Sequence, residues 1–178
     1  MKTVIRKATA ADLDATERIY ENIHTESENG NTYTGWIRGV YPTRDTARSA
    51  LEKGELFVQE FEGKTVGTAI INQTQVDVYK GAPWKFDAPD SEVMVLHTLV
   101  IDPYVKGHGF GSNFVEFYEQ YAADNGCRYL RIDTNALNVN AHRFYQKRGY
   151  REIGIVPCEF NGISGVKLVL IEKKLPEN

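Results

Sequence analysis

Gly107, Gly109 and Gly111 stand at alternate positions just after the apolar run Leu99-Val100-Ile101 and the turn residues Asp102-Pro103-Tyr104. Immediately beyond, Phe110, Phe114, Phe117, Tyr118 and Tyr121 recur at helical spacing. A strand, a glycine-punctuated turn and a helix start in that order make an anion cradle. Glycine lets backbone N–H groups crowd a ligand without a Cβ in the way, and the helix start adds unpaired donors and the positive end of its dipole. A pyrophosphate is the natural guest. The donors would come from the stretch Lys106, Gly107, His108, Gly109, Phe110, Gly111 and Ser112. Tight helix–strand packing also demands glycine, so the pattern alone admits both readings. It lacks the Gly-Lys-Ser/Thr ending of a P-loop, and Gly-x-Gly-x-Gly departs from the dinucleotide fingerprint. A second candidate lies upstream. Along 92–101, Glu92, Met94, Leu96 and Thr98 alternate with Val93, Val95, His97 and Leu99, which sets His97 in an otherwise apolar row. An imidazole titrating near neutrality can take a proton; the competing reading is a core ring satisfied by a backbone carbonyl.

The elements that must hold these residues are readable in outline. Thr3 to Lys7 alternates as a short strand. Thr9 to Asp12 offers a variant capping box, ahead of Leu13, Thr16, Tyr20 and Ile23 on one helical face. Residues 26–35 read as polar loop, and a second helix starts at Pro42-Thr43 and stops at Gly54. Strands at 55–61 and 64–72 join through the tight Glu62-Gly63 turn. Residues 73–91 are irregular, punctuated by Gly81, Pro83 and Pro89. The strand at 93–101 is followed by the cradle helix to Gly126, a strand at 129–134, a helix at 139–148, and strands at 151–158 and 166–174. The sum is a mixed α/β (α+β) sheet with helices on both faces.

At 178 residues and 42% hydrophobic composition, one domain spanning 1–178 with a substantial core is expected. Twenty-one basic against 24 acidic side chains argue against a general nucleic-acid binder. No run approaches the length of a membrane span, and the start carries no long apolar leader, so a cytoplasmic protein without membrane contact is expected. Cys127 and Cys158 have neither metal-ligand spacing nor a nucleophile motif, and no metal is expected.

Downstream, the chain reads Asn138-x-x-Ala141-x-x-Phe144-Tyr145-x-x-x-Gly149-Tyr150. Together with Lys106-Gly107-His108-Gly109-Phe110-Gly111, this resembles the GNAT family of N-acetyltransferases. The family carries Gln/Arg-x-x-Gly-x-Gly/Ala and then Asn-x-x-Ala-x-x-Phe-Tyr-x-x-x-Gly-Phe. Lys106 and Tyr150 depart from it. Lysine keeps the charge of the usual arginine without its planar fork, so phosphate contact there is less directional.

The resemblance implies a central, mostly antiparallel sheet and acetyl-CoA in a V-shaped opening between the strand ending near Ile101 and the strand after Arg128. A bulge in the first strand would expose main-chain groups of Leu99, Val100 and Ile101 to the pantetheine arm. It implies a cofactor contact from Asn138, whose own chemistry equally suits an N-cap. Tyr145 would protonate the departing thiolate and touch the cofactor; in packing terms it is a core aromatic. His97 matches a histidine that in one relative serves the amine proton, with Glu92 a weaker rival for that base. His24 and His142 read as solvated helix residues, and Arg143 as a phosphate contact or a solvated charge. Trp36, Tyr41 and Trp84 lie in the two variable regions from which family members build acceptor pockets. The implied reaction is direct attack of a small-molecule, peptide or protein amine on the thioester. A homodimer is implied by family habit alone. The alternative is a CoA-binding module of the same fold without catalysis.

Overall fold

The computed structural model describes residues 3–105 and 107–177, so Lys106 lies outside the described residues. In chain order the elements are β1 (Val4–Lys7), α1 (Leu13–Glu28), α2 (Arg44–Glu52), β2 (Leu56–Phe61), β3 (Lys64–Asn72), β4 (Val93–Ile101), α3 (Phe110–Asp124), β5 (Tyr129–Asn135), α4 (Val139–Gln146), β6 (Arg151–Phe160) and β7 (Ile163–Lys174). One seven-stranded sheet runs β1-β2-β3-β4-β5-β7-β6. Every neighbouring pair is antiparallel except β4–β5. Pro157, which has no N–H to give a ladder, sits on the edge strand β6, where its loss matters least.

Alternation along the strands splits the core into layers. Met94 and Leu96 of β4, Leu130 and Ile132 of β5 and Val169 and Ile171 of β7 face α3 and α4, packing on Phe114, Tyr118 and Tyr145. Toward the opposite face, Leu56, Ile70 and Val100 meet Ile19 and Tyr20 of α1 and Ala47 of α2. Val93, Val95, Leu168 and Leu170 meet the segment 73–92, anchored there by buried Tyr79. That face of the sheet is therefore covered by helices near one edge and by an irregular segment near the other. No described helix is long and apolar enough to cross a membrane.

Four local expectations need correction. First, α1 continues through Glu28, taking in residues 26–28 of the expected loop; Asn29 and Gly30 close it with N–H bonds to Thr25 O and Ser27 O. β7 begins at Ile163, not 166, because a two-residue turn at Asn161-Gly162, both at positive φ, makes β6 and β7 a continuous hairpin. His24 is 1% exposed, its Nε2 2.9 Å from Pro42 O, which ties α1 to the start of α2. His142 likewise is tucked in, with Nε2 3.0 Å from Asn135 O.

Candidate active site

β4 and β5 pair in register from Val93–Tyr129 to Leu96–Ile132, and the ladder then ends. The next positions in register are His97 and Asp133. From there the strands part into a V. The cause lies on the other side of β4. There Ile70 opposes His97 and Thr68 opposes Val100, so Ala69 alone answers two residues, Thr98 and Leu99. That is a β-bulge. Thr98 takes φ 52°, a left-handed conformation unusual for a β-branched residue, and its hydroxyl is held by the Tyr41 hydroxyl. The extra residue also inverts the alternation. Leu99 and Ile101 pack on the α3 and α4 side with Met94 and Leu96, so Leu99 does not share the His97 row that simple alternation assigned it.

A cavity of about 240 Å³ occupies the V. Leu99, Val100 and Ile101 line one wall, and Asn138, Ala141 and Tyr145 of α4 another. Trp36, Tyr41, Val76, Phe160, Val166 and Leu168 line the cavity away from these walls, together with polar residues such as Thr34 and Asn161. His97 and Asp133 stand on the two strands where they separate. Trp84 is not there. Its ring lies against Tyr79, with Nε1–H donating to Tyr79 O at 2.9 Å, and it lines a separate hollow beneath 73–92 under the Arg131 guanidinium.

Beyond the open end of the V sits the cradle. Gly107 and Gly109 have φ of 87° and 67°, and a Cβ built on either would meet nothing within 4 Å. Open space beside left-handed backbone is what a group lodged against N–H donors needs. Gly109 is the N-cap of α3 and supplies no side-chain cap. The N–H groups of Phe110, Gly111 and Ser112 have no partner among the described residues, the first N–H bond back along the helix being Asn113 to Gly109 O at 3.0 Å. The residues present therefore fit a phosphate group. Gly111 answers a different need: a Cβ there would come 3.4 Å from the Phe144 ring, so this glycine lets α3 lie close to α4. The His108 ring stacks on Phe110 beside Phe61. The Ser112 hydroxyl accepts from Arg148, whose guanidinium covers Phe144.

Tyr145 is 7% exposed and its hydroxyl has no hydrogen-bond partner among the described residues, leaving it free toward the cavity. Burial, assisted by the nearby Asp133 charge, pushes its pKa well up, so the phenol keeps its proton throughout the neutral range. Asn138 does cap α4, Oδ1 accepting from the Ala141 N–H at 3.2 Å, and it lines the cavity as well.

His97 is held by Asn72. Asn72 Nδ2 donates to Glu55 at 2.9 Å and its Oδ1 accepts from the Thr74 N–H, which turns Oδ1 toward His97 Nε2 at 2.8 Å. Nε2 must then carry the proton, leaving the lone pair on Nδ1. Burial pushes the pKa down to about 4, against a smaller upward pull from the Thr74 backbone. The ring is neutral at physiological pH.

Asp133 escaped the sequence reading. In Tyr129-Leu130-Arg131-Ile132-Asp133-Thr134 it falls on the polar row of an alternating strand, which signals solvent. The 73–92 segment covers that row instead. Tyr79 donates to Asp133 Oδ2 at 2.7 Å, and burial still raises the carboxyl pKa to about 6, Tyr79 opposing the shift. Pairing the irregular stretch with the polar row of β5 was the missing inference.

The family model of the acetyltransferase (GNAT) family matches residues 14–150. An uncharacterized N-acetyltransferase of Methanocaldococcus jannaschii is 25% identical over 158 residues, covering 85% of this chain, which spans only 62% of that relative's length. A second from the same organism is 24% identical and covers 97% of this chain and 92% of its own. Among solved structures, a GNAT-family acetyltransferase from Streptococcus agalactiae superposes with a TM-score of 0.80 at 22% identity, covering 99% of this chain and 96% of its own. The Salmonella typhimurium protein YncA, solved with its cofactor acetyl-CoA, gives 0.69 at 16% identity over 99% and 96% of the two chains. The opened strands, the glycine cradle and the match over residues 14–150 place this chain in the GNAT acetyltransferase family.

Proposed function

We propose that the protein transfers the acetyl group of acetyl-CoA to a primary amine by direct attack, without an acyl-enzyme. One observation carries the reading: the cavity that begins at the bulge of β4 contains a buried Tyr145 hydroxyl and lies beside a helix start with three N–H donors, none of which has a partner among the described residues. Acetyl-CoA supplies the activated thioester. The cradle from Gly107 to Ser112 holds its pyrophosphate. Main-chain groups of Leu99, Val100 and Ile101 pair with the pantetheine arm in place of a β5 partner, and the Asn138 amide adds a contact. An N–H of the bulged strand near Leu99 or Val100 polarises the thioester carbonyl.

The amine nitrogen forms its bond to the acetyl carbon and the C–S bond breaks. Tyr145 gives its proton to the sulfur as it leaves. The buried phenol is a weak acid, but the same dry surroundings penalise a thiolate, so the exchange stays near balance. His97, neutral with a lone pair on Nδ1, accepts a proton from the nitrogen. Neither cysteine competes as a nucleophile, since burial pushes both thiols up.

Release of free thiol from acetyl-CoA, followed with a panel of alkyl, aryl and peptide amines, tests the reading. Amine-dependent release is expected. Tight CoA binding with no release for any amine would instead establish a non-catalytic CoA-binding module.

A further inference from the structure

Converting an ammonium to an amide removes two protons from nitrogen, and His97 accepts one. Asp133 stands across the mouth of the V from His97, one register step beyond the last β4–β5 pair. Tyr79 sits on the same face with the buried layer under 73–92, and its hydroxyl fixes Asp133 Oδ2, leaving Oδ1 for a ligand. Around this carboxylate the cavity sets the aromatic and aliphatic side chains Trp36, Tyr41, Phe160 and Leu168 beside uncharged polar ones such as Thr34 and Asn161, and Asp133 is the only acidic or basic side chain, His97 aside, among its described lining residues.

We propose that Asp133 receives the acceptor's ammonium group and takes its first proton, that Tyr79 is its positioning residue, and that the acceptor is a primary amine on an uncharged, apolar body. The proposal rests on the acetyltransferase reading. The ammonium N–H bond breaks toward Asp133 Oδ1, and the freed lone pair forms the bond to the acetyl carbon. The second proton passes to His97 as the C–S bond breaks, and Tyr145 protonates the sulfur. His97 returns its proton through solvent to the Tyr145 phenolate, and Asp133 releases the other to bulk. One proton leaves per turnover, as the overall reaction requires. A carboxylate next to the substrate amine would meet Asp133 at close range, so free α-amino acids are disfavoured.

Burial leaves Asp133 with a pKa of about 6, within reach of a working base near neutrality. The groups facing it are Tyr79 from the 73–92 segment, Tyr41 from the loop before α2, Tyr145 from α4, Cys158 from β6 and His97 from β4. The tyrosines and the cysteine have their pKa values raised, and His97 has its value lowered, so only Asp133 changes charge between pH 5 and 7.

The test compares phenethylamine with phenylalanine, and the parent protein with Asp133→Asn and Tyr79→Phe. The parent should acetylate phenethylamine in preference to phenylalanine, with kcat/KM falling on an acid limb near pH 6. Asp133→Asn should lose ~10²–10⁴ in kcat/KM while CoA affinity is unchanged. Tyr79→Phe removes the bond that lowers the carboxyl pKa, so its acid limb should move to higher pH, which loss of packing alone would not do. Parental kcat/KM and acid limb in a folded Asp133→Asn, or preference for phenylalanine, would overturn the proposal and leave the acetyltransferase reading standing. No acetylation of any amine, with CoA binding intact, would overturn both.

Discussion

Tyr145 and Asp133 lie in one cavity, and burial acts on them to opposite practical effect. For Tyr145 it secures the proton that the sulfur needs. Tyr145→Phe keeps the ring against Tyr150 and Phe144, so stability and CoA affinity should hold. Turnover should drop by ~10²–10⁴, nearer the lower figure because water can replace the hydroxyl. Single-turnover measurement is needed, since slow product release would mask the loss in steady state. Full single-turnover activity in the variant would return Tyr145 to the core. For Asp133, burial is a cost. The folded chain binds its proton more tightly than the unfolded chain, with the pKa raised from 3.8 to about 6. Its contribution to stability is therefore full below the unfolded value and is lost as pH rises through about 6. Asp133→Asn keeps an acceptor for Tyr79 and removes the charge. It should stabilise the protein at pH 8 by at most about 3 kcal/mol relative to its effect at pH 3.5. Urea unfolding at both pH values measures this, and an equal difference at the two would remove the strain from the account. A gain in stability paired with a loss of activity is the signature of a group kept for chemistry.

At the level of elements, the cradle and its helix were legible because each rests on local rules: an apolar run, glycines at turn positions, then aromatics at helical spacing. The bulge was not, because no residue type announces it. Thr98 at φ 52° is the reverse of what propensity suggests, and it is tethered by Tyr41, a contact between residues 57 apart in sequence. The segment 73–92 failed for a related reason. Its glycines and prolines read as loop, whereas Tyr79, Trp84 and the backbone at Lys85 and Phe86 dock on β5 and β7 through Asp133, Arg131 and Glu172. The start of α3 carries its own prediction. Gly109→Glu places a side chain and a negative charge in the space before three N–H groups that have no partner among the described residues, and should weaken CoA binding about tenfold or more by calorimetry. Gly109→Asn tolerates the left-handed backbone without charge and should lose less. Equal losses would show that backbone strain, not occupancy of the cradle, governs binding.

Across the whole molecule, the parallel β4–β5 ladder joins β1–β4 to β5–β7 through only the register Val93–Leu96 against Tyr129–Ile132. The resemblance implied a mostly antiparallel sheet with a bulge and a V between these two strands, but no residue type announces either, and this near-division follows from the bulge. α3 and α4 bridge the two halves on one face and 73–92 on the other. A ligand seated in the V touches both halves: Leu99 to Ile101 from one, Asn138 and Tyr145 from the other. Binding should therefore register as global stabilisation. At a hundred times its Kd, CoA adds about 2.7 kcal/mol, which for a chain of this size raises Tm by about 5–10 °C. ATP and NAD present a similar polyphosphate to the cradle but no pantetheine arm to the β4 edge, so they should shift Tm far less. Gly109→Glu, with binding weakened about tenfold or more, should cut the CoA shift at the same CoA concentration to about half or less, while leaving the ligand-free Tm within a few degrees of the parent. Equal shifts with ATP and CoA would mean that the cradle alone binds and the V does not. A CoA shift confined to local protection of α3 in hydrogen exchange, with Tm unmoved, would show that the ligand does not span the opening between the two halves.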